Sequence, residues 1–289
     1  MSRIEIENIY NNYITEYCMM LSKFKSKPKV AIIQVGDLSE STTYVNNKIK
    51  AFKTVGIEYE LFKFDNDITQ YKITTLLDNL SVDDNYTGIF VQLPLPKQLD
   101  FNEIKEHINP LKDIDGLTNT NTIKLYNNDE SGILPATPKA VMMLIDELNV
   151  DLTGKSVCVI NRSDLIGKPL VHMLTQRNAT VIWCNSYTQH INRYLSNSDI
   201  IVSGVNRANI FNKWDFSLTN PHKKLIIDLT TVFENGKLYG SVNREDYELL
   251  CRYDDLTTVG GGKGKRSMGA ITILALIDNI IKSYRLQRC

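Results

Sequence analysis

The chain has 289 residues, more than a typical single domain, which favours two domains of about 100–150 residues each. Basic residues (Lys plus Arg) and acidic residues (Asp plus Glu) number 33 each, so no bulk charge attracts nucleic acid or an anionic membrane. No apolar window approaches the roughly 18 residues of a membrane span, and a small molecule is the expected partner.

The five cysteines are scattered and lack the spacing of a disulfide framework or a zinc site. We therefore expect reduced thiols, a cytoplasmic location and no metal. The N-terminal segment carries Glu5 and Glu7 early and has no apolar run, which is typical of neither a signal peptide nor a transit peptide.

A strand followed by a helix is predicted at residues 30–48. Residues 30–35 are apolar and rich in β-branched side chains, and Ser41 is a candidate N-cap for the helix. Tyr44 and Lys48 are four residues apart, so they lie on one helix face and form a candidate site. The alternative for this pair is a solvated lysine and a tyrosine packed on a neighbour.

The chain then alternates strands and helices. Residues 59–64 and 88–93 read as strands and residues 69–80 as a helix, a pattern that predicts a small parallel sheet. Two prolines follow the second of these strands, so the chain leaves the sheet close to Gln92. In open α/β sheets this carboxyl end of the strand faces the ligand crevice.

Residues 109–116 (NPLKDIDG) form a predicted loop with two carboxylates, Asp113 and Asp115. A solvated turn is the alternative, because aspartate and glycine are common in turns. A helix that bridges two domains is predicted next, with Thr137 as its cap and Pro138 at its first position.

A second α/β series starts at a strand over residues 156–160. A helix from Gly167 and strands at 180–183, 199–203 and 225–228 predict a doubly wound dinucleotide-binding domain. The turn from Asn161 to Gly167 is not GxGxxG, but it joins a strand end to a helix start that can bind an anion. No carboxylate follows the second strand, where Ser186 lies, and Arg162 is near, so NADP is expected rather than NAD.

A glycine-rich basic segment follows at residues 259–270, with Lys263, Lys265 and Arg266. It is not a P-loop, and we weigh a mobile solvated loop equally against a flap that binds the charged part of a ligand. An apolar helix is predicted at residues 271–284.

Together these segments resemble the bifunctional methylenetetrahydrofolate dehydrogenase/cyclohydrolase family over nearly the whole chain. The resemblance rests on six segments: VGDLSESTTYVNNK, GIFVQLPLP, NPLKDIDG, PATPKA, GKSVCVINRSDLIGKPL and IIDLTTVFENGKLYGSV. It implies an α/β protein with two domains. These are a small parallel-sheet catalytic domain (1–136, joined by the helix 271–289) and a Rossmann-like doubly wound NADP-binding domain (137–270).

The resemblance also implies an activity in one-carbon metabolism and purine biosynthesis. NADP oxidises 5,10-methylenetetrahydrofolate to the methenyl cation, which is then hydrolysed to 10-formyltetrahydrofolate. Lys48 would activate water and shuttle a proton, Gln92 would hold Lys48, Tyr44 would stack on the folate, and Asp115 would accept hydrogen bonds from the pterin. Four catalytic residues (Lys48, Tyr44, Gln92, Asp115) are thus implied, with Val91 and Leu93 as further substrate-binding residues. The implied cofactor-binding residues are Asn161, Arg162, Ser163, Gly167, Ser186 and Thr230.

Several segments depart from the family pattern. Asn161 replaces the first residue of Gly-Arg-Ser, residues 185–188 replace His-Ser-x-Thr, and residues 229–232 replace a Val-Gly-Ile-Asn run. Residues 257–272 replace a proline-rich segment with a longer basic one. A homodimer is implied by resemblance alone. The alternatives are a relative that binds folate or dinucleotide without turnover, and a two-domain enzyme similar to shikimate dehydrogenase.

Overall fold

The computed structural model describes residues 6–211, 224–234, 237–243, 256–259 and 267–288. The described residues fall into two compact units. The first unit lies within residues 11–136 and 273–289, and the second unit lies within residues 1–10 and 137–272.

Helices and parallel strands make up most of the described chain. The helices are α1 (Ile6–Leu21), α2 (Ser39–Val55), α3 (Gln70–Val82), α4 (Phe101–Ile104), α5 (Asn119–Tyr126), α6 (Ala136–Glu147), α7 (Gly167–Gln176), α8 (Asn192–Asn197) and α9 (Met268–Leu286). The strands are β1 (Lys29–Val35), β2 (Glu58–Phe64), β3 (Gly88–Val91), β4 (Ser156–Ile160), β5 (Thr180–Cys184), β6 (Ile200–Ser203), β7 (Lys224–Asp228), β8 (Val232–Glu234), β9 (Lys237–Tyr239) and β10 (Leu256–Val259).

The first unit contains a three-stranded parallel sheet in the order β2-β1-β3. β1 is the central strand, and its Ile33 pairs with Phe62 of β2 and Val91 of β3. One face of the sheet packs with α3 in an apolar core that contains Ile33, Ile73 and Val91. The predicted small parallel sheet is confirmed.

The second unit contains a five-stranded parallel sheet in the order β10-β7-β6-β4-β5. The chain passes from β4 to β5 on one side and then returns to place β6 on the other side of β4. The carboxyl end of β4 therefore lies at the point where the strand order reverses, which is where doubly wound sheets bind ligands. The predicted doubly wound sheet is also confirmed.

Two predicted helix caps differ from the structure. Ser41 is not the N-cap of α2: the helix begins at Ser39 after Leu38, which supplies no side-chain cap, and Ser41 is buried inside the helix. Similarly, α6 begins at Ala136, so Thr137 and Pro138 lie within its first turn. Both errors have one cause, since a serine or threonine near a helix start serves as a cap only if its backbone is still extended.

The predicted strand at 88–93 is shorter in the structure, because β3 ends at Val91 and Gln92 follows it. The basic segment with Lys263, Lys265 and Arg266 lies outside the described residues. No helix in the described part of the chain is long and apolar enough to cross a membrane.

Candidate active site and dinucleotide loop

The turn between β1 and α2 fixes the direction of the helix that carries Lys48. Gly36 has a φ of +77°, and a Cβ there would lie 2.2 Å from Asn66 Oδ1, so the turn requires glycine. The buried Gln34 side chain donates from Nε2 to Gly36 O (3.2 Å) and to Thr42 Oγ1 (2.9 Å), which ties the strand to the helix.

Lys48 projects from α2 towards the end of β3. Its ammonium nitrogen donates to Gln92 Oε1 at 3.1 Å and lies 3.6 Å from the centre of the Phe90 ring. Burial lowers the pKa of the Lys48 ammonium to about 8, although the negative charge of Asp115 acts in the opposite direction. The alternative of a solvated lysine is therefore wrong, and the amine can exchange a proton near neutral pH.

Gln92 is buried just beyond β3, and both ends of its side-chain amide are engaged. Its Nε2 donates to Leu93 O (2.5 Å) while Oε1 accepts from Lys48, and its backbone N–H donates to Ile33 O (2.8 Å). The Val91 side chain packs into the apolar core, which leaves its backbone for any contact with a substrate.

Asp113 and Asp115 lie two residues apart and have different environments. The buried Asp113 carboxylate accepts from Gly116 N (2.9 Å), Thr118 N (2.8 Å) and Asn121 Nδ2 (2.9 Å). The half-buried Asp115 carboxylate accepts no hydrogen bond from the described residues. Burial raises the pKa of Asp115 to about 6, with Lys48 lowering it and Asp113 raising it further. Asp113 shapes the loop, whereas Asp115 retains its acceptor capacity.

Helix α9 supports the same loop. Asn279 is fully buried, and its Nδ2 donates to Ile114 O and Leu134 O, each at 2.8 Å. Gly116 has a φ of +70°, and a Cβ there would lie 2.5 Å from the Leu134 backbone. The loop and the 134–136 segment therefore pack too closely for any other residue at position 116.

Tyr44 lies one helical turn before Lys48 and is 39% exposed. It borders a cavity of about 180 Å³ at the start of α2. The lining residues are Leu38, Ser39, Glu40, Ser41, Tyr44, Leu93 and Pro94. A partly exposed ring beside a concave surface suits stacking on a planar ligand.

In the second unit, Asn161 organises the loop between β4 and α7. Its Oδ1 accepts from Ser163 N (2.8 Å), Ser163 Oγ (2.8 Å) and Gly167 N (3.0 Å), and its Nδ2 donates to Gly204 O. A Cβ at Gly167 would lie 2.1 Å from Asn161 O, so the predicted close packing at this glycine is confirmed. The Gly167 N–H at the start of α7 is thus already bound within the loop.

Arg162 is exposed, and its guanidinium carbon lies 5.4 Å from the centre of the Tyr187 ring. Asp164 forms an ion pair with Lys168, not with Arg162. Tyr187 follows the end of β5, where its N–H donates to Asn185 Oδ1 (2.9 Å), and Ser186 beside it is exposed. Arg162 and the turn after β5 thus lie close together, with no carboxylate in that turn.

Thr230 follows β7 and is buried, with Oγ1 accepting from Val205 N at 3.2 Å. Its N–H donates to Asp228 Oδ1 (3.0 Å), and the same carboxylate accepts from Ser241 Oγ (2.9 Å) and Val242 N (3.1 Å). Burial raises the pKa of Asp228, and these hydrogen bonds oppose the rise. Thr230 therefore belongs to a rigid strand-end network that Asp228 organises.

Two contacts were not predicted from the sequence, those of Phe90 with Lys48 and of Tyr187 with Arg162. Phe90 precedes Gln92 by two residues and so shares its face of the strand, a signal that the sequence contains. Tyr187 directly follows Ser186. No group of three or more histidine, cysteine, aspartate or glutamate side chains that could hold a metal occurs among the described residues.

Comparisons with known proteins cover both units. The family model for the tetrahydrofolate dehydrogenase/cyclohydrolase catalytic domain matches residues 4–115, and the model for the NAD(P)-binding domain of the same family matches residues 135–288. The bifunctional protein FolD of Staphylococcus haemolyticus is 35% identical over 285 residues, which are 98% of this chain and 96% of that protein. FolD of Clostridium acetobutylicum is 37% identical over 258 residues, 89% of this chain and 88% of its own.

Solved structures agree. The methylenetetrahydrofolate dehydrogenase/cyclohydrolase FolD of Campylobacter jejuni superimposes with a TM-score of 0.90 at 30% identity, covering 100% of both chains. The Trypanosoma brucei enzyme, complexed with NADP and an inhibitor, gives a TM-score of 0.86 at 25% identity over 100% of this chain and 97% of its own. The chain therefore belongs to the tetrahydrofolate dehydrogenase/cyclohydrolase family.

Proposed function

We propose that this protein oxidises 5,10-methylenetetrahydrofolate with NADP and hydrolyses the methenyl product to 10-formyltetrahydrofolate. The observation that carries this proposal is the Lys48 amine, held by Gln92 and facing the Asp115 charge, with its pKa lowered to about 8. Family membership supports both reactions.

In the hydrolysis, water adds to the methenyl carbon and gives up one proton. Its second proton passes to N5 as the bond from that carbon to N5 breaks, which leaves the formyl group on N10. The Lys48 amine takes up the proton of the attacking water, because an amine with a pKa near 8 is partly neutral at physiological pH. Gln92 fixes the amine through Oε1. Asp115 accepts hydrogen bonds from the pterin, since its carboxylate oxygens accept none from the described residues.

The second unit has groups that suit NADP. Arg162 supplies a guanidinium for a 2′-phosphate, and the turn after β5, which contains Ser186, brings no carboxylate to repel it. Asn161, Ser163, Gly167 and Thr230 shape the surrounding loops. When bound, NADP supplies the acceptor for the hydride of the methylene carbon.

A spectrophotometric assay with methylenetetrahydrofolate and either NADP or NAD tests this function. We expect methenyl absorbance to rise and then decay, faster with NADP. Absence of the rise with both cofactors would support the alternative of a binding protein without turnover. A rise without enzyme-dependent decay would support a monofunctional dehydrogenase.

We further propose a cytoplasmic homodimer that binds no nucleic acid. The balanced charge and the free thiols Cys18, Cys158 and Cys184 support the location and the absence of nucleic acid. The dimer rests on the family resemblance. Light scattering at micromolar concentration should give twice the chain mass of 32.9 kDa, and a monomer mass would contradict it.

A further inference from the structure

Phe90 forms the surface beneath the Lys48 amine. It is 3% exposed and lies in β3, two residues before Gln92, which follows the strand. The ammonium nitrogen lies 3.6 Å from the ring centre and 3.1 Å from Gln92 Oε1. The cation therefore meets an aromatic face and an amide oxygen together, and both attract positive charge.

The geometry points to a positioning role for Phe90, whose ring face holds the Lys48 ammonium at Gln92 and stabilises its protonated form. The catalytic meaning of this role rests on the proposed function, but the contact itself does not. An apolar residue without a π-system could fill the same space without attracting the cation.

Few charged groups act on Lys48 among the described residues, so the effect of the Phe90 ring on the Lys48 pKa can be measured. Asp115 is the charged group of the described residues that acts on Lys48, and it favours the protonated amine. Tyr44 is the titratable neighbour one turn away on α2, whereas Phe90 of β3 and Gln92, which follows β3, carry no charge. Burial opposes protonation, so loss of the ring face should shift the balance further towards the neutral amine.

The test is to titrate Lys48 by NMR in protein labelled with ¹³C at lysine Cε, with the signal assigned from Lys48→Met. In Phe90→Leu the Lys48 pKa should fall by about 0.4 to 1.5 pH units, the range given by cation–π strength at one pH unit per 1.36 kcal/mol. An unchanged or raised pKa would overturn the proposal.

A second series keeps the shape of the ring. Mono-, di- and trifluorinated phenylalanine at position 90 weaken the negative potential of the ring face, so the Lys48 pKa should fall stepwise with fluorination. A pKa that does not respond would show that the ring only packs against the lysine stem. Ile89→Val is the matched control, because it removes one methylene from the opposite face of the same strand and should leave the Lys48 pKa unchanged.

Kinetics then separate this proposal from the proposed function. The pH profile of methenyl hydrolysis should shift to lower pH in Phe90→Leu by the amount seen by NMR. If the natural protein shows no hydrolysis but the NMR shift occurs, the proposed function fails and the role of Phe90 stands. If hydrolysis is normal and the NMR titration is unchanged, the role of Phe90 fails alone.

Discussion

The loop that contains Asp113 and Asp115 in the first unit and the loop between β4 and α7 in the second unit are built in a similar way but differ in burial. In each, one polar side chain builds the loop: Asp113 with three hydrogen bonds and Asn161 with four. A charged residue close by in the sequence, Asp115 in the first unit and Arg162 in the second, extends its side chain from this loop. The projecting group is half-buried with a shifted pKa in the first unit and exposed in the second. Burial suits proton chemistry, and exposure suits recognition of a charged group.

The largest expected effect is at Lys48. In Lys48→Met, the rate of methenyl hydrolysis should fall by about 10²–10⁴-fold, because the packing is kept but the proton-accepting amine is lost. Folate and NADP should still bind, as measured by titration calorimetry. Lys50→Met, an exposed lysine on the same helix, is the matched control and should retain activity. Normal hydrolysis by Lys48→Met would remove Lys48 from the mechanism.

The second effect is on the free energy of unfolding, which should fall when Asp113 is replaced but not when Asp115 is replaced. Asp113→Ala leaves Thr118 N and one hydrogen of Asn121 Nδ2 unpaired, whereas Gly116 N keeps a hydrogen bond to the backbone oxygen of residue 113 and Asn121 Nδ2 keeps one to Pro110 O. Each buried unpaired group costs about 1–3 kcal/mol. Chemical denaturation should show a loss of about 2 kcal/mol or more in the free energy of unfolding. Asp115→Ala is the control and should cost little, since its carboxylate makes no hydrogen bond with the described residues. Equal losses of stability in the two variants would contradict a structural role for Asp113 that Asp115 does not share.

The third effect is on folate recognition. Asp115→Asn should raise the folate KM about tenfold, because pterin donors left without their acceptor cost about 1–3 kcal/mol. The KM for NADP should change little. An unchanged folate KM would return Asp115 to the solvated-turn interpretation.

The fourth effect, of similar size to the third, concerns the exposed group of the second unit. Arg162→Ala should lower kcat/KM for NADP by at least tenfold and leave the NAD value nearly unchanged, since a charge-assisted pair with a phosphate is worth about 1.5–3 kcal/mol. Arg177→Ala, which breaks an exposed ion pair with Asp146, is the matched control. Equal losses of kcat/KM with both cofactors would mean that Arg162 does not bind the 2′-phosphate.

Much of this architecture was predictable from the sequence, because it depends on local patterns. The strands at 156–160 and 30–35 are apolar apart from Ser156 and Gln34, and the alternation of strands with helices already implies parallel sheets. Spacing also placed Tyr44 and Lys48 on one face of α2. Helix starts were less predictable, as Ser41 shows, because capping depends on backbone angles that the residue type does not determine.

The roles of individual polar residues could not be predicted locally. Asp113 and Asp115 look equivalent in the sequence, and only the folded loop brings Thr118 and Asn121 to Asp113 and leaves Asp115 beside Lys48. Likewise, nothing near Asn161 indicates that its carboxamide binds the N–H of Gly167 six residues later. These hydrogen bonds form only where the chain folds back on itself, so the spacing of residue types along the sequence does not predict them.

The most direct test of the account is the pH dependence of kcat/KM for methylenetetrahydrofolate in the natural protein and in Asp115→Asn. The pKa of Asp115 is raised to about 6, so this carboxylate is protonated and loses acceptor capacity as the pH falls through that value. We expect kcat/KM of the natural protein to decrease as the pH is lowered below about 6. The kcat/KM of Asp115→Asn should be lower than that of the natural protein and should not show this decrease at acidic pH. An acidic limb that persists unchanged in Asp115→Asn would contradict the assignment of Asp115 as the group that binds the pterin.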